Sequence, residues 1–201
     1  MQNESRYSRR EEYSEATRRA LLVTARRLFT EQGFHATGIE AIARATRVTR
    51  GALYHHFADK RALFDAVVVE LQAEMADTVA AAARAEPDLW ARLDVGIEAF
   101  FDAAVAPDYR RLVLQEGIAV LGVPRFREID QAHSLAMLDA NLLALRQAGE
   151  LDFDNVALLS RLIVAMTCEI AMALAEAGDA AALRADARQA VRRILAAFRR
   201  R

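Results

Sequence analysis

Apolar residues recur at helical spacing along almost the whole chain, whereas no stretch shows the strict alternation of a half-buried strand. Glycine, proline and aspartate residues separate these patterns and mark helix ends. The polar residues 1–13 are predicted to form a mobile arm. An all-α protein is therefore expected, with about nine helices that span 14–32, 39–45, 49–56, 59–85, 88–106, 108–121, 125–147, 154–177 and 179–198.

Two short helical patterns lie within residues 37–60 and are separated by only about three residues. Thr37 and Glu40 have the spacing of a capping box, in which each side chain bonds a backbone amide at the helix start. Thr49 and Asp59 are suitable N-cap residues for the two helices that follow. Two helices joined in this way form a helix-turn-helix, whose second helix can enter the major groove of DNA.

The second of these helices carries side chains that suit DNA. Arg50 can form two parallel hydrogen bonds with the edge of a guanine, and the donors of Tyr54 and His55 suit phosphate oxygens. Gly51 leaves bare backbone that another molecule can approach closely. An ordinary helical hairpin with a solvated outer face explains the caps and the apolar positions equally well, so the residue pattern alone leaves both interpretations open.

A collinear set of residues within about 17–64 carries a resemblance to a known family. The set comprises Ala25, Leu28, Phe29, Gly33, Phe34, Thr37, Ile42, Ala43, Ala45, Val48, Thr49, Gly51, Leu53, Tyr54, His55, Phe57, Lys60 and Leu63. With these residues the stretch resembles the TetR family of bacterial transcriptional repressors. The resemblance implies a three-helix DNA-binding head at residues 14–62 and a larger helical body at residues 63–201, which binds a ligand and dimerises.

The resemblance also implies which head residues contact DNA. Phosphate contacts are implied for Thr37, Tyr54, His55 and Lys60, and base reading for Arg50 and its neighbours Thr49 and Gly51. One departure from the family pattern is Arg47, because the turn before Val48 usually carries glycine. A positive φ at Arg47 would cost about 1 kcal/mol or more. A different turn, or an added DNA contact by Arg47, is the compensation expected.

Charge is divided unevenly along the chain. Residues 1–62 carry 12 Lys+Arg against 7 Asp+Glu and the rest carry 15 against 21, although the whole chain has a net charge of −1. A basic head on an acidic body is expected where one end meets a polyanion such as DNA. The N-terminus lacks a signal-peptide core, and charged residues interrupt the apolar runs. We expect a cytoplasmic protein without a membrane partner.

No residue pattern typical of an enzyme is present. The four histidines lack the spacing of a metal site, and neither a nucleophile elbow nor a phosphate-binding glycine loop occurs. Cys168 is alone, so it forms no intrachain disulfide, and its apolar helix indicates packing rather than reactivity. We expect no catalytic residue, metal or cofactor. The alternative is a helical enzyme or an interaction scaffold whose helix-turn-helix is a relic.

Polar side chains interrupt the apolar patterns of the body, as expected in a ligand pocket. In the family a small-molecule pocket lies among the body helices. The predicted lining is Trp90, Phe101, Glu116, Phe126, His133, Met137, Met166 and Glu169. For the polar members, a salt bridge or an edge position is the alternative. The two glutamates would favour a lipophilic cation.

The helix predicted over 154–177 is apolar nearly all round, which indicates burial on two sides. In the family the last two helices pair with those of a second copy as a four-helix bundle, and an intrachain core is the alternative. The predicted dimer interface is Leu159, Ile163, Ile170, Val191, Leu195 and Phe198. The complete prediction is a homodimeric repressor that leaves double-stranded operator DNA when an unknown small-molecule effector binds.

Overall fold

The structure is a computed structural model that describes residues 2–200, with side chains described for residues 12–200. This part of the chain is helical throughout apart from loops and one isolated bridge between Leu151 and Arg199, so the predicted all-α fold is confirmed. The elements are α1 (Gln2–Gln32), α2 (Ile39–Thr46), α3 (Arg50–His56), α4 (Lys60–Ala83), α5 (Leu89–Ala104), the π-helix π1 (Tyr109–Gln115), α6 (Gly117–Ala132), α7 (Ser134–Gln147), α8 (Val156–Glu176) and α9 (Ala180–Ala196).

The first helix is longer than predicted, because α1 begins at Gln2 and not near Ser14. The segment predicted to be an arm is therefore helical over residues 2–13. Its side chains before Glu12 lie outside the described residues, and the mobility of this segment stays a prediction.

The predicted helices over 108–121 and 125–147 have different limits in the structure. The π-helix π1 replaces most of the first, and α6 follows it. Gly122, with φ 74° and ψ 155°, interrupts α6 and confirms a turn at the predicted place. A second break at His133, with φ −121° and ψ −89°, separates α6 from α7 and was not predicted from the apolar pattern.

Side-chain caps position the starts of several helices. The Oγ1 atom of Thr49 accepts the N–H of Ala52 at 3.1 Å, and Oδ1 of Asp59 accepts the N–H of Ala62 at 2.7 Å, so both predicted caps are confirmed. Each such cap contributes about 1 kcal/mol, because it satisfies an amide that lacks a partner within the helix. Further helices are capped in the same way by Asp88, Asn155 and Asp179.

The head consists of α1, α2 and α3 around an aromatic cluster. The ring centroid of Phe64 lies 5.4 Å from that of Phe29 and 5.1 Å from that of Phe34, both in edge-to-face geometry. Such pairs are favourable beyond the apolar area that they bury. Phe64 belongs to α4, whose first turns complete the head and whose later turns lie in the body. One continuous helix therefore joins the two parts.

By length and composition alone, α8 could span a membrane. Its mean hydropathy reaches 1.8 over 18 residues. In the structure one side of α8 lies in the core of the body, where Leu159, Ile163 and Leu174 are buried. The opposite side carries exposed leucines at Leu158 and Leu162. The apolar composition of α8 thus serves two separate surfaces.

Candidate DNA-binding surface and ligand cavity

The outer face of α3 is exposed and polar. Arg50, Gly51, Tyr54 and His55 are all exposed, whereas Leu53 is fully buried in the core of the head. The buried leucine anchors α3 in this core, so the polar side chains project from a fixed helix. This arrangement suits the reading of base edges and phosphates, and the predicted contacts of these four residues stay predictions.

The side chain of Arg50 lies along the surface of the head. Its Nη1 atom lies 3.1 Å from Oε1 of Glu40, and its guanidinium carbon lies 5.4 Å from the ring centroid of Tyr54. Both members of the ion pair are more than half exposed, so the pair adds little stability. Arg50 can therefore exchange Glu40 for a base edge at small cost.

Arg47 adopts the left-handed conformation, with φ 60° and ψ 35°, at the end of α2. The N–H of Arg47 donates to the carbonyl of Arg44 at 3.1 Å, and that of Val48 donates to the carbonyl of Ala43 at 3.0 Å. This is the helix ending that glycine normally occupies. The sequence left the conformation of the turn open, and the structure shows a positive φ, which costs an arginine about 1 kcal/mol or more. The Arg47 side chain is exposed next to α3.

Thr37 has a structural role that excludes the predicted phosphate contact. Its side chain is completely buried, and its hydroxyl donates to the carbonyl oxygen of Gly33 at 2.7 Å and lies 3.2 Å from that of Leu28. The N-cap of α2 is Gly38, without a side-chain hydrogen bond, so the predicted capping box with Glu40 is also wrong. The hydroxyl thus bonds a backbone carbonyl at the end of α1 and not a backbone amide at the start of α2.

The side chain of Lys60 is also directed to the α1–α2 turn. Its Nζ atom donates to the carbonyl oxygens of Phe34 at 2.8 Å and Thr37 at 3.0 Å, and lies 3.4 Å from that of His35. It also lies 4.3 Å from the ring centroid of Phe34, within range of a cation–π contact. An ammonium has three donors, and all three are engaged here. In this conformation Lys60 holds the α1–α2 turn on α4, and its predicted phosphate contact stays a prediction.

A cavity of about 500 Å³ lies between α4, α5, π1, α6, α7 and α8. It runs along α4 from Gln72 to Ala83, a rise of roughly 16 Å. Its walls are apolar with a few polar groups, as is typical of small-molecule sites. The main lining residues are Gln72, Met75, Val79, Ala83, Arg84, Arg92, Leu93, Ile97, Phe100, Tyr109, Val113, Phe126, Asp130, Ser134, Met137, Leu138, Asn141, Ile163, Val164, Thr167 and Cys168.

The structure contradicts most of the predicted lining. Phe126 and Met137 do line the cavity. Phe101 lies beside Val191 of α9, and Glu169 is exposed on the outside of α8. The remaining predicted residues outside the lining are Trp90, Glu116, His133 and Met166. Neither Glu116 nor Glu169 lines the cavity, so these two residues give no support to the predicted lipophilic cation.

The π-helix explains why Glu116 faces the head. In an α-helix Leu112 and Glu116 would share one face. The backbone N–H of Glu116 instead donates to the carbonyl of Arg111, five residues earlier, at 2.9 Å. The wider π-helical turn rotates the residues that follow it about the helix axis. The side chain of Glu116 is thereby directed to the α1–α2 turn.

Arg111 and Glu116 together grip the α1–α2 turn, and we call this pair the head–body clamp. Oε2 of Glu116 accepts the N–H of Phe34 at 2.9 Å, and Nη1 of Arg111 donates to the carbonyl of Thr30 at 3.0 Å. The two side chains bond to each other at 3.2 Å. Gly33 has φ 84°, and a Cβ atom there would lie 2.7 Å from Nη2 of Arg111. The positive φ favours glycine here, and the missing Cβ leaves room for the Arg111 guanidinium.

The end of the cavity near the head holds a polar cluster that the sequence did not reveal. Gln72 donates to Oδ1 of Asp130 at 2.6 Å, while its Oε1 atom accepts the hydroxyls of Tyr109 at 3.1 Å and Ser134 at 3.3 Å. Burial raises the pKa of Asp130 to about 6 and that of Cys168 to about 12, because apolar surroundings disfavour the ionised forms. These residues come from five separate elements, so no local spacing connects them.

Asp130→Asn is expected to stabilise the protein at neutral pH. The folded pKa of Asp130 lies above its ordinary value of 3.8, so the folded state binds the proton more tightly, and this stability is lost as the pH rises through about 6. With screening of the partly exposed group, wild type should lose roughly 1–2 kcal/mol of unfolding free energy relative to the variant by about pH 8. Urea denaturation across pH measures this, and a pH-independent difference would contradict it.

Most of the predicted dimer residues are buried within the protomer. Ile170 and Phe198 are half-buried, and the ring centroid of Phe198 lies 5.3 Å from that of Phe153. The prediction is wrong for the four core residues, which expose at most 4% of their surface, namely Leu159, Ile163, Val191 and Leu195. They cannot contact a second copy without opening the protomer.

Other residues form an exposed apolar surface on the last two helices. Leu158 is 46% exposed, Leu162 is 53% exposed, and Ile194 of α9 is 47% exposed. The small residues Ala165 and Ala173 continue the exposed side of α8. We call these five residues the α8–α9 face. Large exposed apolar residues grouped on two neighbouring helices are typical of a contact with another molecule.

Two domain families match the chain. Residues 21–67 match the bacterial regulatory proteins of the tetR family, and residues 90–198 match the tetracyclin repressor-like C-terminal domain. A crystal structure of a TetR-family transcriptional regulator from Pectobacterium atrosepticum has a TM-score of 0.77 and 30% sequence identity, and the match covers 94% of this chain and 97% of that one.

Curated relatives match over shorter lengths. The HTH-type transcriptional regulator UidR of Escherichia coli (strain K12) is 39% identical over 59 residues, which is 29% of this chain and only 30% of that protein. The transposon Tn10 TetC protein of Escherichia coli is 27% identical over 141 residues, or 70% of this chain and 71% of that protein. The match with UidR is thus about as long as the head alone.

Proposed function

Because this chain belongs to the TetR family of bacterial regulatory proteins, we propose that it is a transcriptional repressor released from operator DNA by a small apolar ligand. The observation that carries the proposal is the exposed polar face of α3, held on a buried leucine in a head that matches DNA-binding regulators. The relatives with stated roles are regulators, which favours this function over an enzyme or a scaffold.

In the proposed complex α3 lies in the major groove. Arg50 reads a guanine edge, and the bare backbone at Gly51 lets the helix approach the bases closely. Tyr54 and His55 donate to phosphate oxygens. Arg47 extends this surface beyond the start of α3, which gives the strained turn a function in DNA binding.

Specific binding requires two copies of the head. One short recognition helix contacts few base pairs, and paired heads reach half-sites about 34–36 Å apart or a multiple of that distance. We propose that the α8–α9 face of one copy packs on the same face of a second copy. This pairing would bury Leu158, Leu162 and Ile194, and it accounts for the apolar outer side of α8 without a lipid bilayer. The protein then acts in the cytoplasm, where operator DNA is located.

The π-helix connects the cavity to the head in this mechanism. Tyr109 and Val113 of π1 line the cavity, whereas Arg111 of the same element belongs to the head–body clamp. A ligand that displaces Tyr109 or Val113 would therefore move the clamp and the turn that positions α2. Coupling of about 1–3 kcal/mol would weaken operator binding roughly 5–150-fold. Reciprocity requires operator DNA to weaken ligand binding by the same factor.

Arg50→Ala should weaken binding to operator DNA by about 1–3 kcal/mol and relax the preference at one base position. The loss on a shuffled duplex should be much smaller, because the missing contact is to a base. Fluorescence anisotropy with the DNA upstream of the gene and with a shuffled duplex measures both affinities. The control is Arg146→Ala, which removes an exposed, ion-paired arginine from the body.

The two duplexes separate two outcomes of this experiment. Wild type that binds both equally would contradict the proposed function. Equal losses of Arg50→Ala on both duplexes would leave the function standing and contradict only the base contact of Arg50.

A further inference from the structure

We propose that the cavity binds an apolar organic amine, whose protonated nitrogen bonds Asp130 and whose far end donates a hydrogen bond to Asn141. The inference rests on the proposed function in one respect, because it takes the cavity as the effector site. Its basis is two places in the cavity wall where polar atoms have unused hydrogen-bonding capacity.

The first place is the polar cluster near the head, which presents acceptors. Tyr109 and Ser134 both donate their hydroxyl hydrogens to Oε1 of Gln72, so only the acceptor capacity of their oxygens remains. Asp130 uses Oδ1 for Gln72, and none of the side chains described supplies a cation to its carboxylate. The complement of such a site is a hydrogen-bond donor.

A charged donor fits this site better than a neutral one. A half-buried carboxylate without a cationic partner is costly, and the pKa of Asp130, raised to about 6 by burial, reflects that cost. Phe100, Tyr109 and Phe126 also line the cavity, and they supply apolar surface for the rest of the ligand. The carboxylate therefore decides which charge the ligand should carry.

The second place is Asn141, toward the other end of the cavity. Its Nδ2 atom donates to the carbonyl of Leu89 at 3.1 Å, which sets the orientation of the amide, and its buried Oδ1 has no partner among the residues described. An orphaned buried acceptor is unfavourable until a donor reaches it. Ser134 and Asn141 lie two turns apart on α7, a rise of roughly 10 Å. A ligand with donors at both ends and an apolar middle matches this spacing.

Two arginines lie at the Asn141 end of the cavity. Arg92 donates through Nε at 3.0 Å and Nη2 at 2.9 Å to the carbonyl of Glu86, and Arg84 is exposed at the end of α4. Solvent and salt screen an exposed charge more strongly than a partly buried one. This screening applies to Arg84, whereas Arg92 is half-buried and keeps its charge. A carboxylate ligand that pairs with Arg92 is therefore the direct competitor of an amine that pairs with Asp130.

Calorimetric titrations of the free protein with octylamine, octanol and octanoate vary the head group at constant chain length. Octylamine should bind at least about tenfold more tightly than octanol, because its bond to Asp130 joins two charged groups whereas that of octanol joins only one, and octanoate should bind most weakly. Asp130→Asn should reduce the octylamine affinity about tenfold and that of octanol by a smaller factor. Asp139→Asn is the matched control, since Asp139 is not among the lining residues and bonds Ser160.

A second comparison tests the far end of the cavity. Amino-octanol, with its donors at opposite ends of the chain, should bind wild type about fivefold more tightly than octylamine, because its hydroxyl reaches Oδ1 of Asn141. In Asn141→Leu the two ligands should bind equally. An equal advantage of amino-octanol in both proteins would overturn the assignment of Asn141.

Octanol or octanoate that binds as tightly as octylamine would overturn the proposal, and so would an unchanged octylamine affinity in Asp130→Asn. The variant is expected to fold, since asparagine can accept the same hydrogen bond from Gln72. These titrations contain no DNA, so the ligand class can fail while the operator experiment with Arg50→Ala still supports the repressor.

Discussion

Leu162→Arg should convert the protein from a dimer to a monomer and abolish specific operator binding. Leu162 is the most exposed leucine of the α8–α9 face, at 53%. In a symmetric pair the substitution places two unpaired charges in an apolar interface, at a cost of several kcal/mol. A monomer presents one α3 helix, so binding to the two half-sites loses its cooperative second contact. Sedimentation or light scattering at micromolar concentration measures the first effect, and anisotropy measures the second.

Leu143→Arg is the matched control for the interface. Leu143 lies on α7 and is 45% exposed, so the same change is made at a leucine of similar exposure outside the α8–α9 face. This variant should remain dimeric and bind operator like wild type. A dimeric Leu162→Arg protein, or a wild type that is monomeric at micromolar concentration, would contradict the proposed interface.

Lys60→Met should lower the free energy of unfolding by roughly 2–4 kcal/mol. Methionine preserves much of the aliphatic length, but it leaves the carbonyls of Phe34 and Thr37 without their charged donor. Hydrogen bonds to charged groups contribute about 1.5–3 kcal/mol each, and water replaces them only in part at this half-buried site. Urea denaturation followed by circular dichroism measures the loss, and operator binding should weaken because the α1–α2 turn is released.

Salt dependence separates this role from a direct contact with phosphate. A lost phosphate contact lowers the slope of log affinity against log salt by about one, whereas a loosened turn leaves the slope unchanged. Arg44→Met, at an exposed position of α2, is the control for stability and should unfold like wild type. If Lys60→Met is as stable as wild type and shows a smaller salt slope, the result would support a phosphate contact of Lys60 instead.

The helices of the head could be predicted from the sequence because their signals are local. The caps at Thr49 and Asp59 act on amides three residues away, and the exposed face of α3 follows from one helical period. Comparison with the family pattern singles out Arg47 as the unusual residue of the turn, and the structure gives it a positive φ. Each of these features depends on residues within one or two turns of the chain.

The lining of the cavity could not be predicted in the same way. The π-helix changes the register after Arg111, and the break at His133 changes it again, so faces projected along straight helices are misplaced. A straight-helix projection consequently places Glu116 in the cavity and overlooks Asp130. A π-helical turn has no simple residue pattern, because it forms where packing on both neighbours outweighs the regular hydrogen-bond ladder.

The sequence by itself determined the all-α class and most helix starts, since hydrophobic period and capping depend on near neighbours. Its resemblance to the TetR family indicated α3 as the helix proposed to bind DNA. The tertiary structure alone decided that Lys60 and Thr37 serve the α1–α2 turn, that the inner leucines of α8 belong to the protomer core, and that Asp130 faces the cavity. The type of a residue indicates which kind of partner its side chain needs, apolar or hydrogen-bonding. Which partner it meets depends on long-range packing, because atoms far apart in the chain compete for the same contacts.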